Sequence, residues 1–309
     1  MEQQNRPEVT VSVITYNSSR TVLQTLESIK SQTYERIRLI ISDDCSTDDT
    51  IRVCKKWIDR NSTRFVSTEI LTTSVNTGVA GNCNRAWDAC KSDYLKSIAG
   101  DDYLLPDCID SNISFMLNNP SSVVVFSKMT FAGSKREIKR FNSYYDDSFY
   151  SFFELSAEEQ HKRLIEVGNC LPAPTSFYRF SKIRELGLRF DERVPFLNDW
   201  PMWINLTDRG IRISFLDKDT VCYRVGGGGL SSGEGVIGDK FYKSILLFKF
   251  YYQFDHFCKK DKESAVSSFV EDQVAFYHEM IRRVIKSPEY RVGRFLLAPW
   301  RFIQKFFSK

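Results

Sequence analysis

No two cysteines stand three residues apart. Cys45, Cys54, Cys83, Cys90, Cys108, Cys170, Cys222 and Cys258 are scattered, and the three histidines complete no ligand spacing with them. A zinc ribbon and a dithiol redox site are therefore excluded, and buried free thiols are expected. No apolar run approaches the roughly 18 residues of a membrane-spanning helix. Met1 to Glu8 is polar and lacks the apolar core of a secretory signal. A reducing, cytoplasmic setting follows as the expectation. Neither sign of charge dominates: 43 Lys and Arg oppose 39 Asp and Glu, for a net charge of +4. That balance implies no nucleic-acid partner. Internal repeats are absent. What the chain has is length and rings. Its 309 residues suffice for a large core, and 14% are aromatic, 24 of them Phe. Such an excess suits sugar stacking, a membrane interface or simply the core.

Strand and helix signals alternate through the first half. Val9 to Thr15 is a β-branched run that reads as a buried strand. Ser18 or Ser19 is placed to cap a helix carrying Val22, Leu23, Leu26 and Ile29 on one face. Strands are expected at Ile37 to Ile41, Phe65 to Thr72, Tyr94 to Ala99 and Ser122 to Phe131. Helices are expected after Ser46 or Thr47, after Gly78, and from Pro106. This order predicts an α/β sheet, parallel at first, flanked by helices. The second half is less regular. Ile211 to Leu216 is strand-like, Gly226 to Gly238 holds seven of the fifteen glycines, and the chain is largely helical from Asp239. The expected division is a catalytic domain over residues 1–238 and a helical extension over 239–309.

In open α/β sheets, ligands bind beyond the carboxyl ends of the strands. Polar clusters fall there: Thr15-Tyr16-Asn17, Asp43-Asp44, Asn76 through Gly78 to Asn84, and Gly100-Asp101-Asp102. A nucleotide site is expected from that pattern. Asp101 and Asp102 suit a divalent cation such as Mg²⁺ or Mn²⁺, or an acidic turn before a helix. Asp43 and Asp44 suit a base or ribose, or a helix cap. Asp199, ahead of Trp200 and Pro201, suits a general base or a cap.

Taken in order, VSVITYN (11–17), SQTY (31–34), IISDDCSTDDT (40–50), NTGVAGNCNRA (76–86), AGDDYLLPD (99–107) and NDWPMW (198–203) resemble the family 2 glycosyltransferases of the GT-A fold. The resemblance covers roughly residues 9–225. It implies a Rossmann-like mixed sheet, a nucleotide-sugar donor, a divalent metal and inversion at the anomeric carbon. Thr15, Tyr16 and Asn17 then line the nucleotide pocket with Asp43 or Asp44 on the base, and Asn76, Gly78, Asn84, Arg85 and Gly100 flank the donor. Asp101 is the metal-binding aspartate with Asp102 beside it, Asp199 is the catalytic base, and Arg224 pairs with phosphate. Two positions depart from the family pattern. Ala99 stands where the first Asp of its metal motif belongs, and Asn198 replaces the first carboxylate of the pair at the base.

UDP-sugar is the expected donor, with dTDP- and GDP-sugars as alternatives. A nucleotidyltransferase would carry a glycine-rich basic segment after the first strand, where Tyr16-Asn17-Ser18-Ser19-Arg20 stands instead. A scaffold that has lost catalysis rests only on Ala99 and Asn198. The segment 287–309 joins Phe295, Leu296, Trp300, Ile303 and Phe307 to five Arg and Lys against one acid, Glu289. A basic amphipathic segment of this kind suits an anionic membrane surface. The resemblance then implies a glycan acceptor carried on polyprenyl diphosphate at the inner face of the cell membrane, in synthesis of O-antigen or capsule. The Gly226–Gly238 segment is expected to close over the diphosphate.

Overall fold

The computed structural model describes residues 6–141, 144–225 and 243–286. The chain forms two units, Met1–Ile245 and Leu246–Lys309. The first holds β1 (Val9–Thr15), α1 (Val22–Lys30), β2 (Ile37–Asp43), α2 (Thr50–Asn61), β3 (Ser67–Thr72), α3 (Gly78–Ala89), β4 (Tyr94–Ala99), β5 (Tyr103–Leu104), α4 (Cys108–Asn118) and β6 (Val124–Ala132). There follow α5 (Lys135–Ile138), α6 (Asp147–Phe152), α7 (Ala157–Glu166), β7 (Phe177–Arg179), α8 (Phe180–Glu185), α9 (Asp199–Asp208) and β8 (Ser214–Arg224). The second unit contains a π-helical turn (Lys249–Gln253), α10 (Phe254–Lys260) and α11 (Lys262–Lys286). Among the described residues no helix is long and apolar enough to cross a membrane.

Eight strands form one mixed sheet in the order β3-β2-β1-β4-β7-β6-β8-β5. The first four are parallel, with Val9 opposite Ile37 and Tyr94. β7 runs antiparallel to both β4 and β6, and β5 antiparallel to β8. The side-chain alternation of β1 sorts the two faces of the parallel half. Val9, Val11 and Val13 enter the core with Val22, Leu26 and Ile29 of α1, Cys54 and Trp57 of α2, and Ile109 and Ile113 of α4. Thr10 and Ser12 alternate with those valines. They are just as buried, and small hydroxyl pairs satisfy them: Thr10 donates to Ser92 Oγ (2.9 Å), and Ser12 pairs with Ser97 (2.8 Å). Trp87 Nε1 of α3 donates to Ser97 (3.3 Å). One face is thus a dry aliphatic layer and the other a close-packed polar seam.

Local starts and stops differ from the sequence expectation. α1 begins one turn later than Ser18 or Ser19, and its N-cap is Thr21. Leu23, one position round from Val22, faces solvent at 49% exposure, while Thr25 takes the buried place beside Leu26. α2 begins after Asp49 rather than at Ser46 or Thr47, because those two side chains serve the loop after β1. Pro106 lies two residues ahead of α4 instead of in its first turn. β8 runs on to Arg224, held by β6 on one side and β5 on the other. The turn between α1 and β2 is fastened by Arg64, which donates to the carbonyls of Lys30, Gln32, Tyr34 and Glu35 at 2.7–3.0 Å. All eight cysteines are free thiols, five of them buried. Burial pushes the Cys54 thiol up to about 12.

Leu26 is wholly buried between α1 and the sheet. Leu26→Ala is expected to lower unfolding free energy by about 3 kcal/mol. Urea titration checks this: the midpoint falls while the slope stays unchanged.

Candidate active site

The polar strand ends form three connected networks. The first joins the ends of β1 and β2. Thr15 Oγ1 donates to Asp43 Oδ2 (2.9 Å), and Asp43 also accepts the Ser46 N–H (2.8 Å) and hydroxyl (2.5 Å). Ser46 Oγ in turn accepts the Asn17 N–H (2.8 Å), and Asn17 Oδ1 accepts the Thr47 N–H (2.8 Å). Asn17 and Cys45 both adopt positive φ, 51° and 67°. These are left-handed turns of the kind Asn tolerates and Cys rarely adopts. The side-chain bonds around them hold that geometry. Tyr16 projects outward between these turns, 51% exposed.

The second network is built on Asp44. Its carboxylate accepts the N–H groups of Thr77 (2.9 Å) and Gly78 (2.8 Å), the Thr77 hydroxyl (2.6 Å) and Arg85 (3.1 Å). A carboxylate at a helix N-terminus suits the dipole as well as the free donors. Asn76 Nδ2 reaches the Asp44 carbonyl (3.3 Å). Arg85 also donates to Asn82 Oδ1 (2.9 Å), and Asn82 Nδ2 donates to the Thr15 carbonyl (3.0 Å), so the two networks are one. Gly78 has φ of +79°, and a Cβ there would stand 3.2 Å from that of Pro195. The start of α3 therefore packs on the segment leading into α9. Asn84 faces elsewhere: it donates to the Phe190 carbonyl (3.0 Å) and Glu192 (2.8 Å), and accepts the Phe190 N–H (2.9 Å).

The third network surrounds Gly100-Asp101-Asp102. A Cβ on Gly100 would meet Thr15 Cγ2 at 2.9 Å, so only glycine lets the ends of β4 and β1 approach this closely. Below the loop, α1 and the residues flanking its two ends present a ladder of polar side chains. Thr21 donates to the Gly100 carbonyl (2.8 Å), Thr25 to that of Asp102 (2.6 Å) and Gln32 to that of Leu105 (2.7 Å), while Ser28 accepts the Leu104 N–H (3.0 Å). Asp102 is buried and accepts the Arg224 N–H (2.8 Å). The Arg224 side chain donates to the Asp101 carbonyl (2.9 Å) and to Gln24. Burial, then the neighbouring Asp101 charge, pushes the Asp102 carboxyl up to about 7. Burial likewise raises Asp101.

Two adjacent carboxylates raised in this way suit a positive charge. Among the described residues no group of three or more His, Cys, Asp or Glu could cage a metal. A hard cation of the Mg²⁺ or Mn²⁺ type needs only one or two carboxylates when phosphate oxygens complete its shell. The donor set fits that kind of ion. Asp101, half-buried, is the more open of the two carboxylates.

Asp199 is the first residue of α9, and Asn198 at the N-cap makes no side-chain capping bond. Asn169 Nδ2 donates to Asp199 Oδ2 (3.1 Å). Asn169 is itself held by the Leu171 N–H on its Oδ1 (3.0 Å). Burial raises the Asp199 carboxyl, against the N–H of Trp200 and the Asn169 amide, which lower it. Its charge is felt by Cys83 of α3 and by Tyr144 and Tyr178, both of whose hydroxyls are raised chiefly by burial. A carboxylate placed near a hydroxyl acceptor and raised toward neutrality has the properties of a general base.

The structure thus gathers Thr15, Asn17, Asp43, Asp44, Asn76, Gly78 and Arg85 into one bonded edge. Gly100, Asp101, Asp102 and Arg224 stand together, and Asp199 stands with Asn169. Ser46 was expected only as a helix cap and Thr77 only as part of a turn, while Asn82, Asn169 and the polar ladder beside α1 carried no sequence signal of their own. A polar stripe at helical spacing reads as a solvated face, and Asn169 is 30 residues from its partner. The Gly226–Gly238 segment and the basic segment 287–309 lie outside the described residues.

Asp102 yields a pH dependence of stability with a definite sign. Its folded carboxyl titrates near 7, against 3.8 ordinarily. Between those values the folded chain holds a proton that the unfolded chain has lost, so stability falls as pH rises through the window. Asp102→Asn keeps an acceptor for Arg224 and removes the titration. From pH 5 to 8, wild type is expected to lose at least ~1 kcal/mol more than the variant in urea unfolding.

The family model described as glycosyl transferase family 2 matches residues 10–187, more than half of the chain. EpsE of Bacillus subtilis is 32% identical over 110 residues, which span 36% of this chain and 38% of that protein. The UDP-Glc:alpha-D-GlcNAc-diphosphoundecaprenol beta-1,3-glucosyltransferase WfaP of Escherichia coli is 25% identical over 226 residues, 73% of this chain and 80% of WfaP. The crystal structure of S. aureus TarS 1-349 in complex with UDP superposes with a TM-score of 0.56 at 20% identity, over 79% of this chain and 64% of that one. The mixed sheet with its flanking helices is accordingly the GT-A fold. Motif order, fold and family model agree, and the chain belongs to glycosyl transferase family 2.

Proposed function

We propose that the protein is an inverting glycosyltransferase. It moves a sugar from a UDP-linked donor to a hydroxyl of a glycan acceptor on polyprenyl diphosphate, in bacterial surface polysaccharide synthesis. Residues 1–238 form the catalytic domain in this reading, with a helical extension from 239. The observation that carries it is the pair of acidic centres: Asp101 with Asp102 at the end of β4, and a separate carboxylate, Asp199, raised by burial and steered by Asn169. The relatives support the choice of substrates, since WfaP by its name uses UDP-Glc and a diphosphoundecaprenol-linked acceptor, and TarS is seen with UDP.

Each group has a task. The bonded edge from Thr15 to Arg85 presents turns of fixed shape to the nucleotide, with Tyr16 and Asn17 outermost. Asp101, backed by Asp102, would hold Mn²⁺ or Mg²⁺, which supplies charge neutralisation to the leaving diphosphate. Arg224 sits against the same loop, with its guanidinium beside Asp101, where a phosphate would also be in reach. Asp199 removes the proton of the acceptor hydroxyl as it attacks the anomeric carbon from the face opposite the diphosphate. A hydrolase would instead flank the bond with two carboxylates. Alignment of both substrates supplies much of the rate. The basic aromatic segment 287–309 brings the enzyme to the anionic inner face of the cell membrane, where a lipid-linked acceptor is found.

Calorimetry with UDP, dTDP and GDP, each with and without Mn²⁺, tests the donor half. Tight binding of UDP that needs Mn²⁺, weakened at least tenfold in Asp101→Ala, is expected. Binding of none of the three would leave a scaffold instead. For the base, Asp199→Asn is expected to lower turnover by roughly 10²–10⁴. UDP affinity should stay unchanged, and an unaltered turnover would remove Asp199 from the mechanism.

A further inference from the structure

Six large apolar side chains of α11 face solvent along one line. Val266, Val270, Val274, Tyr277, Ile281 and Ile285 are each 41% exposed or more. Steps of four, four, three, four and four residues keep them in a stripe about 100° wide and roughly 28 Å long. The opposite side of the helix has its own partners: Phe269 meets the rings of Phe250 and Phe254, and Asp272 pairs with Lys249 (2.6 Å). An outward helix face is ordinarily polar, so a continuous apolar stripe marks an interaction surface.

The charge that follows identifies the occupant. Residues 282–309 carry eight Arg and Lys and one acid, a net +7, against +4 for the whole chain, so the preceding 281 residues are net negative. The excess positive charge of the protein therefore gathers where the stripe ends, together with Phe295, Trp300 and Phe307. A surface that is anionic outside and apolar beneath meets both features. A second copy fits less well. Six side chains fall far short of the roughly 20–30 residues a side of a stable interface, and a parallel pair would bring two such charges together.

We propose that the Val266–Ile285 stripe of α11 is a lipid-docking face, lying on an anionic bilayer alongside the basic segment that follows it. The inference rests on the membrane-proximal reading above and adds a second, specific contact to it. The test is co-sedimentation of the full chain with vesicles of phosphatidylcholine and phosphatidylglycerol (3:1) or of phosphatidylcholine alone. Wild type is expected to bind the anionic vesicles, and Val270→Glu with Tyr277→Glu and Ile281→Glu to lose at least tenfold in partitioning. Circular dichroism checks that the helix persists, and the milder pair Val270→Ser with Ile281→Ser serves if the triple variant does not fold. Equal binding by variant and wild type would overturn the docking face while leaving the basic segment as the anchor. No binding by wild type would overturn both. A wild-type dimer that the variant converts to monomer, with vesicle binding unchanged, would assign the stripe to a second copy.

Discussion

Two adjacent carboxylates, Asp43 and Asp44, organise the ligand edge of the sheet. Both are almost wholly buried at the end of β2. A buried carboxylate is stable only when donors replace the water it has lost. Asp43 obtains them from Thr15 and Ser46, and Asp44 from Thr77, Gly78 and Arg85. Because they are consecutive, they fasten different loops, one to the end of β1 and one to the start of α3. Neighbouring turns inherit their shape from those bonds. The positive φ of Asn17 and Cys45, the entry angle of α3 and the outward projection of Tyr16 all follow.

The second constraint is the loop Gly100 to Leu105. It is held from below by four polar side chains, Thr25 and Ser28 of α1 with Thr21 and Gln32 at its two ends, and from the side by Arg224 of β8. Asp102 is the member that ties it to β8, which leaves Asp101 as the more open carboxylate. This division bears on Ala99, which stands where the family pattern has the first Asp of the motif. The loop is anchored without that side chain, through its own carbonyls, the Leu104 N–H and the Asp102 carboxylate, which the ladder and Arg224 engage. Asn198 is a comparable case. It leaves Asp199 without an acidic neighbour, and Asn169 supplies an amide donor in its vicinity. An amide lowers the carboxyl where a second acid would raise it, so burial alone supplies the upward shift.

The parallel half of the fold was legible because its signals are local. β1 agrees with the expected strand at both ends, and β4 likewise. Helix starts were less legible: Ser18 spends its hydroxyl on the Tyr16 carbonyl, and the hydroxyls expected to cap α2 meet Asn17, which only folding brings near. Ser46 is the clearest instance, since it bonds to Asp43 and Asn17 rather than to a helix end. Between Phe131 and Asn198 the chain also holds α5, α6 and α8, each of six residues or fewer, too few turns for periodicity to show. β7 falls within the run Thr175 to Phe180, which after Pro172 and Pro174 reads as a loop entering a strand; that its three residues join the two halves of the sheet is a matter of tertiary pairing.

From the sequence alone came the order of strands and helices, the acidic and polar strand ends, and the family that their order resembles. Those features depend on side-chain period and on motifs whose residues are neighbours in the chain. Tertiary structure alone decided which carboxylates brace loops and which remain open to a ligand. It also decided that Asn169 meets Asp199, that α1 carries the Gly100–Leu105 loop, and that one face of α11 stays apolar and exposed. Each of those is a pairing across many residues, or the lack of one. Burial and the donors that compensate it exist only once distant segments have packed together.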